Sequence, residues 1–196
     1  MVIRMDKKKE PVFYLDDIEI VTIPRMKVAM FDRMSKEPEP ETGDMAKKWL
    51  ADHGIAPEYE YRLLGFDNYG HLETINGRRR YTQYLAVPDG LSVDDEDNIM
   101  MFNGDRYARL MIEDPFTGDF PSGWHMLIKW ALENGYKDKG VTCLIKGIMG
   151  RCWKSSEEES YSCGGGCWNS SEQAPCFEEI VTRNGVQYMD FYLPII

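Results

Sequence analysis

The sequence predicts an α+β fold: a duplicated strand-helix-strand-strand unit laid out as a mostly antiparallel sheet with helices packed against it. Three observations carry this. The segment "KWLADHGI" at 48–55 returns as "KWALENGY" at 129–136, with Trp49 over Trp130 and Gly54 over Gly135 at one constant offset. The second copy ends a stretch in which Trp124, Leu127, Ile128 and Ala131 fall at i, i+3, i+4 and i+7, the stripe of a helix covering a sheet. Near the end, Asn184-Gly185 sits between two β-rich runs, Phe177–Thr182 and Val186–Ile195, and Asn-Gly in that setting marks a tight hairpin.

The remaining elements follow from the repeat. "PRMKVAMF" at 24–31 lies over "NGDRYARL" at 103–110, each with a turn-forming pair before an apolar strand. "PEYEY" at 57–61 resembles "PCFEE" at 175–179, and "YTQYLAVP" at 81–88 mirrors "QYMDFYLP" at 187–194. Half one (17–90) reads as strand Ile18–Met34, helix Asp44–His53 and strands Tyr61–Asp67 and Arg80–Val87. Half two (98–196) reads as strand Ile99–Glu113, helix Pro121–Asn134 and strands Phe177–Thr182 and Val186–Pro194. Both helices are expected to end on a glycine cap, Gly54 and Gly135. Residues 137–174 have no counterpart in half one. They include the polar, glycine-rich "KSSEEESYSCGGGCWNSS", expected to be a mobile inserted loop or lid on one domain spanning 1–196.

The chain has 196 residues, enough to bury a core, and 43% of them are hydrophobic. Its net charge of −10 repels phosphate backbones, which argues against direct nucleic-acid binding. The basic run "GRRR" at 77–80 reads as a solvated hairpin tip. No apolar run of about 18 residues is present, so no membrane span is expected. The start "MVIRMDKKKE" lacks the apolar core of a secretion signal, and the expected compartment is the cytoplasm. An acidic chain with 11 Tyr, 8 Phe and 5 Trp is a suitable host for a cation.

The adjacent carboxylates Glu178-Glu179 point to where that cation would sit. Successive strand residues face opposite sides of a sheet, so one of the two looks toward the interior. A carboxylate in an apolar pocket is costly to bury alone and favours a bound cation or its own protonation.

The segments "IEIVTIPRMKVAMF", "RYARLMI", "GWHMLIKWALENGY" and "FEEI…GVQYMDFYLPI" together resemble the GyrI-like small-molecule-binding domain. This family is also called the AraC-type, or bacterial transcription-activator, effector-binding domain. The resemblance runs from about Asp17 to Ile195 outside the insertion. It implies a pseudo-two-fold fold with a ligand groove between the halves. In multidrug-responsive regulators of this family, an acidic residue and a cage of aromatics hold lipophilic cations. Carried over, the acidic residue is Glu178, with Glu179 facing the other way. The candidate cage is Tyr81, Phe66, Tyr107, Trp124 and Tyr188. With about 16 residues before Asp17, a DNA-binding helix-turn-helix is not expected, and the chain resembles the standalone members.

The expected function is therefore a cytoplasmic protein binding a small lipophilic ligand, with no cofactor and no catalytic residue. Two alternatives stay open from the same resemblance. One is a hydrolase of strained, cyclopropane-type electrophiles, with Glu178 as general acid or base. The other is a gyrase-inhibitor-like module that docks a protein partner.

Other constellations carry less. Cys163 and Cys167 form a C-x3-C pair near Cys152 and Cys176, looser than the paired C-x2-C of zinc sites, and an inert insertion without metal is expected. His53, His71 and His125 do not cluster, and His53 sits where it can serve a helix C-terminus. "SVDDEDN" at 92–98 lacks calcium-loop spacing. No phosphate-binding P-loop or G-x-G-x-x-G fingerprint occurs.

Overall fold

A computed structural model of the chain describes residues 18–56, 60–67, 77–93, 98–113, 120–136 and 174–196. Each half opens with two strands joined by a tight turn, each pairing with other strands rather than with its neighbour in sequence. β1 (Glu19–Ile23) turns at Pro24-Arg25 into β2 (Met26–Ser35), and β5 (Ile99–Phe102) turns at Asn103-Gly104 into β6 (Asp105–Glu113). The long first strand expected of each half is thus two strands, divided at the turn-forming pair. The rest follows the repeat: α1 (Pro38–Asp52), β3 (Leu63–Asp67) and β4 (Arg79–Ala86), then α2 (Phe120–Glu133), β7 (Phe177–Arg183) and β8 (Val186–Pro194).

α1 begins earlier than Asp44 because prolines are tolerated in a first helical turn, where the missing N–H would have no partner. Both helices close on their glycines, Gly54 at φ 68° and Gly135 at φ 78°. His53 caps α1 from its side chain, Nδ1 lying 2.7 Å from the Trp49 carbonyl oxygen with the ring tilted against the Trp49 indole. Asn184 (φ 52°) and Gly185 (φ 77°) both adopt the left-handed conformation of a two-residue hairpin loop, pairing Arg183 with Val186.

All strands join one 8-stranded antiparallel sheet in the order β1-β6-β8-β7-β3-β4-β2-β5. The order is symmetric about the β7–β3 seam, which is the pseudo-two-fold. The first strand of each half crosses to the other half: β1 pairs β6 and β5 pairs β2. Consecutive β1 and β2 therefore lie near opposite ends of the strand order, joined by Pro24-Arg25, and the sheet must curl to allow it. Gly104 packs against that crossing so tightly that a Cβ would sit 2.6 Å from the Arg25 nitrogen.

The result is a curled half-barrel with both helices on one side. α2 buries Trp124, Leu127, Ile128 and Ala131 against Leu110, Phe191 and Leu193. α1 buries Ala46, Trp49 and Leu50 against Ala29, Phe31 and Leu85. The other face is the inside of the curl. There Phe102, at one end of the strand order, meets the central Phe177 at 5.5 Å between ring centroids. Leu64, Tyr107 and Phe177 are fully buried in this inner core. No described helix is long and apolar enough to cross a membrane.

The run at 77–80 is less free than a solvated tip. Arg80 chelates Asp32 at 2.7–2.9 Å, Arg79 bridges Asp67 and Glu39, and Arg78 donates to the Met34 carbonyl. The inserted segment through Gln173, with Cys143, Cys152, Cys163 and Cys167, lies outside the described residues, as do His71 and residues 94–97. Cys176 is buried.

Candidate functional site

The seam between the halves is thin. β3 and β7 share a single paired position, Gly65 opposite Glu178. On the helix-covered face a row of residues runs across this point: Phe31, Gln83, Gly65, Glu178, Phe191, Leu110. α1 covers one end of the row and α2 the other. Between the helices, the strand register leaves a glycine beside a carboxylate.

Glu178 is partly buried. The Trp124 indole N–H donates to its Oε1 at 3.1 Å. Among the described residues its Oε2 has no hydrogen-bond partner and the carboxyl has no ion-pair partner. Burial pushes the Glu178 carboxyl up to about 7. The Trp124 hydrogen bond pulls against that rise, Asp67 and Glu39 add to it, and Arg79 opposes it.

Two glycines bring the walls in. A Cβ on Gly65 would lie 2.0 Å from the Tyr81 Oη and 2.6 Å from its Cζ, so the phenol lies directly over this glycine. Burial, and then the nearby Glu178 charge, raise the Tyr81 hydroxyl well above its ordinary range. A Cβ on Gly123 would lie 2.8 Å from the Phe191 ring. That close approach seats α2 on β8, where Trp124 packs on Phe191 at 4.8 Å and reaches Glu178. Under α1, the Gln83 Oε1 is buried with no hydrogen-bond partner among the described residues.

The fold therefore gathers Glu178, Trp124 and Tyr81. The other expected cage residues lie elsewhere. Phe66 and Tyr107 are in the inner core of the curl, and the register places Tyr188 on that same face. Glu179 also points there. Its carboxylate takes a two-pronged contact from Arg62, both bonds 3.0 Å, and a hydrogen bond from the Tyr192 hydroxyl at 2.7 Å. Arg62 belongs to half one and Glu179 to half two, so this pair ties the seam from behind. Asp190 extends the network toward Arg109 and Arg183, at 3.5 and 3.4 Å.

Gly65, Gln83, Gly123 and Arg62 are absent from the sequence-based site. Gly65 carried a usable signal, since a lone glycine inside a strand pattern marks a close approach.

The electrostatics predict a pH response. Folded Glu178 holds its proton up to about pH 7, whereas an unfolded glutamate loses it near 4.3. Between those values the folded state binds more protons. Glu178 therefore favours folding at low pH, and this contribution is lost as pH rises through 7. Melting temperatures of wild type and Glu178→Gln are expected to converge near pH 4 and to separate toward pH 8, with the glutamine variant the more stable. Parallel curves would contradict a buried, proton-holding Glu178.

Scanned against protein-family models and curated proteins, the sequence matches none. Solved structures do match in fold. The EcmrR C-terminal domain superposes with a TM-score of 0.54 at 10% identity, covering 91% of this chain and 96% of that one. The EcmrR chain of an EcmrR–DNA complex gives 0.53 at 8% identity, covering 91% of this chain. This chain spans about half of that longer one, 56%. SAV2435 bound to tetraphenylphosphonium gives 0.38 at 9% identity, too low a score to bear on this chain. The α+β fold is thus that of the EcmrR C-terminal domain.

Proposed function

We propose that the chain is a GyrI-like effector-binding domain that holds a small lipophilic cation at the seam between its halves. The observation that carries this is Glu178: a desolvated carboxyl without a counter-ion among the described residues, one oxygen held by Trp124 and the other open. Burying a carboxylate without a partner is unfavourable, and a cation supplies the missing charge. Trp124 and Tyr81 add aromatic surface for cation–π contact, worth roughly 0.5–2 kcal/mol each. The likeness to the EcmrR C-terminal domain supports the fold this reading requires.

A second reading rests on the same residues. A carboxyl titrating at about 7 beside a phenol suits general acid–base work near neutral pH. Glu178 would take a proton from water as the water oxygen bonds to a ring carbon of a strained electrophile. The strained C–C bond breaks, and the electron pair it leaves takes a proton from the Tyr81 hydroxyl, which Glu178 then restores.

Mass spectrometry separates the two. Lipophilic cations and cyclopropane-type electrophiles would be incubated with wild type and Glu178→Gln. Intact cations, retained by wild type and released by the variant, support the binding domain. A water adduct formed by wild type alone supports the hydrolase.

A further inference from the structure

The seam says what kind of cation it takes. Glu178 Oε1 is already hydrogen-bonded to the Trp124 indole, and Oε2 is unpartnered among the described residues. One paired position further along the row, beyond Gly65, the Gln83 Oε1 is buried and unpartnered. Both open atoms are acceptors. Water that Oε2 loses on ligand binding can be replaced only by a hydrogen-bond donor.

We propose that the Glu178 site selects a protonated amine carrying at least one N–H over a quaternary ammonium or phosphonium of the same shape. The inference rests on the cation-binding reading above. A quaternary cation would neutralise Glu178 yet, in covering Oε2, take away its water without replacing the hydrogen bond, which is unfavourable. An ammonium N–H makes a short, charge-assisted bond to Oε2. With Oε1 occupied by the indole, the carboxylate offers that donor one oxygen rather than a fork. A planar amidinium or guanidinium, built to bind both oxygens at once, is therefore a poorer match than a single-donor amine. The quaternary ion has one advantage, since it sheds water more easily. The hydrogen bond outweighs it here because the acceptor is already held in place by the Trp124 bond to its sister oxygen.

The test is a matched pair: an arylalkyl tertiary amine and its N-methylated quaternary counterpart. Both would be titrated into the full chain by calorimetry at about pH 8, where Glu178 is ionised and the alkylamine remains protonated. The expected result is at least about tenfold tighter binding of the amine, a preference that disappears in Glu178→Gln. Equal binding, or tighter binding of the quaternary ion, overturns the inference while leaving the cation site standing. Binding of neither overturns the cation reading and this inference together.

Discussion

Arg62→Met is expected to lower the stability of the protein by about 2–4 kcal/mol in urea unfolding. The ion pair it breaks ties half one to half two on the inner face of the seam. Glu179 is 7% exposed and receives both Arg62 bonds, so the variant leaves a buried carboxylate with only the Tyr192 hydroxyl for support. Breaking one side of a fully buried pair costs about 3–5 kcal/mol. The Arg62 side chain keeps 30% exposure, which lets water compensate in part and sets the lower range. Adding Glu179→Gln to the same chain is expected to recover part of the loss, because the stranded charge is gone. The two effects are then non-additive, as for groups in contact. A loss below about 0.5 kcal/mol would mean that the seam does not depend on this pair.

Gly65→Ala has the second large effect, on the other face of the same seam. The added methyl would meet the Tyr81 hydroxyl at 2.0 Å and the ring carbon behind it at 2.6 Å. Tyr81 is 5% exposed and packed, so its ring cannot simply withdraw into water. Overpacking of this kind costs about 1–3 kcal/mol. The displaced ring must also leave its place beside Glu178, so ligand affinity is expected to fall by about tenfold or more. Tyr81→Phe in the same chain relieves little, because Cζ remains too close. Tyr81→Leu removes the ring and is expected to restore stability, leaving the aromatic contribution to binding lost. A double-mutant cycle of Gly65→Ala with Tyr81→Leu measures this coupling; a coupling near zero would show that the ring does not rest on Gly65.

Much of the fold could be read directly from the residues, because it is written in local chemistry. Asn184-Gly185 demanded a two-residue hairpin, and the stripe of Trp124, Leu127, Ile128 and Ala131 demanded a covered sheet. The paired "KW…G" segments exposed the duplication. The exchange of β1 and β5 between halves was not legible. A turn at Pro24-Arg25 shows that the chain bends, but not which distant strand each arm will join. The start of α1 was hidden by Pro38 and Pro40, which read as loop until one asks where in a helix proline is tolerated.

At the site, alternation along β7 required Glu178 and Glu179 to face opposite ways. The residues waiting on each face depended on partners far along the chain: Arg62 lies 117 residues from Glu179, and Trp124 lies 54 from Glu178. The same limit applies to the aromatic cage. Tyr81 and Trp124 joined Glu178, whereas Phe66, Tyr107 and Tyr188 took the inner face. A residue's side of a sheet is fixed by pairing register, and a one-residue change in register reverses it.

The central claim is that the Glu178 carboxylate binds a cation at the seam. Its most direct test is a calorimetric titration of a lipophilic amine into wild type and Glu178→Gln, repeated at about pH 6 and pH 8. Wild-type affinity is predicted to rise between those pH values, because the cation needs the ionised carboxylate and Glu178 titrates at about 7. The glutamine variant is predicted to bind about tenfold to hundredfold more weakly at pH 8 and to show no such rise. Equal affinity for the two proteins, with the same pH profile, would contradict the account.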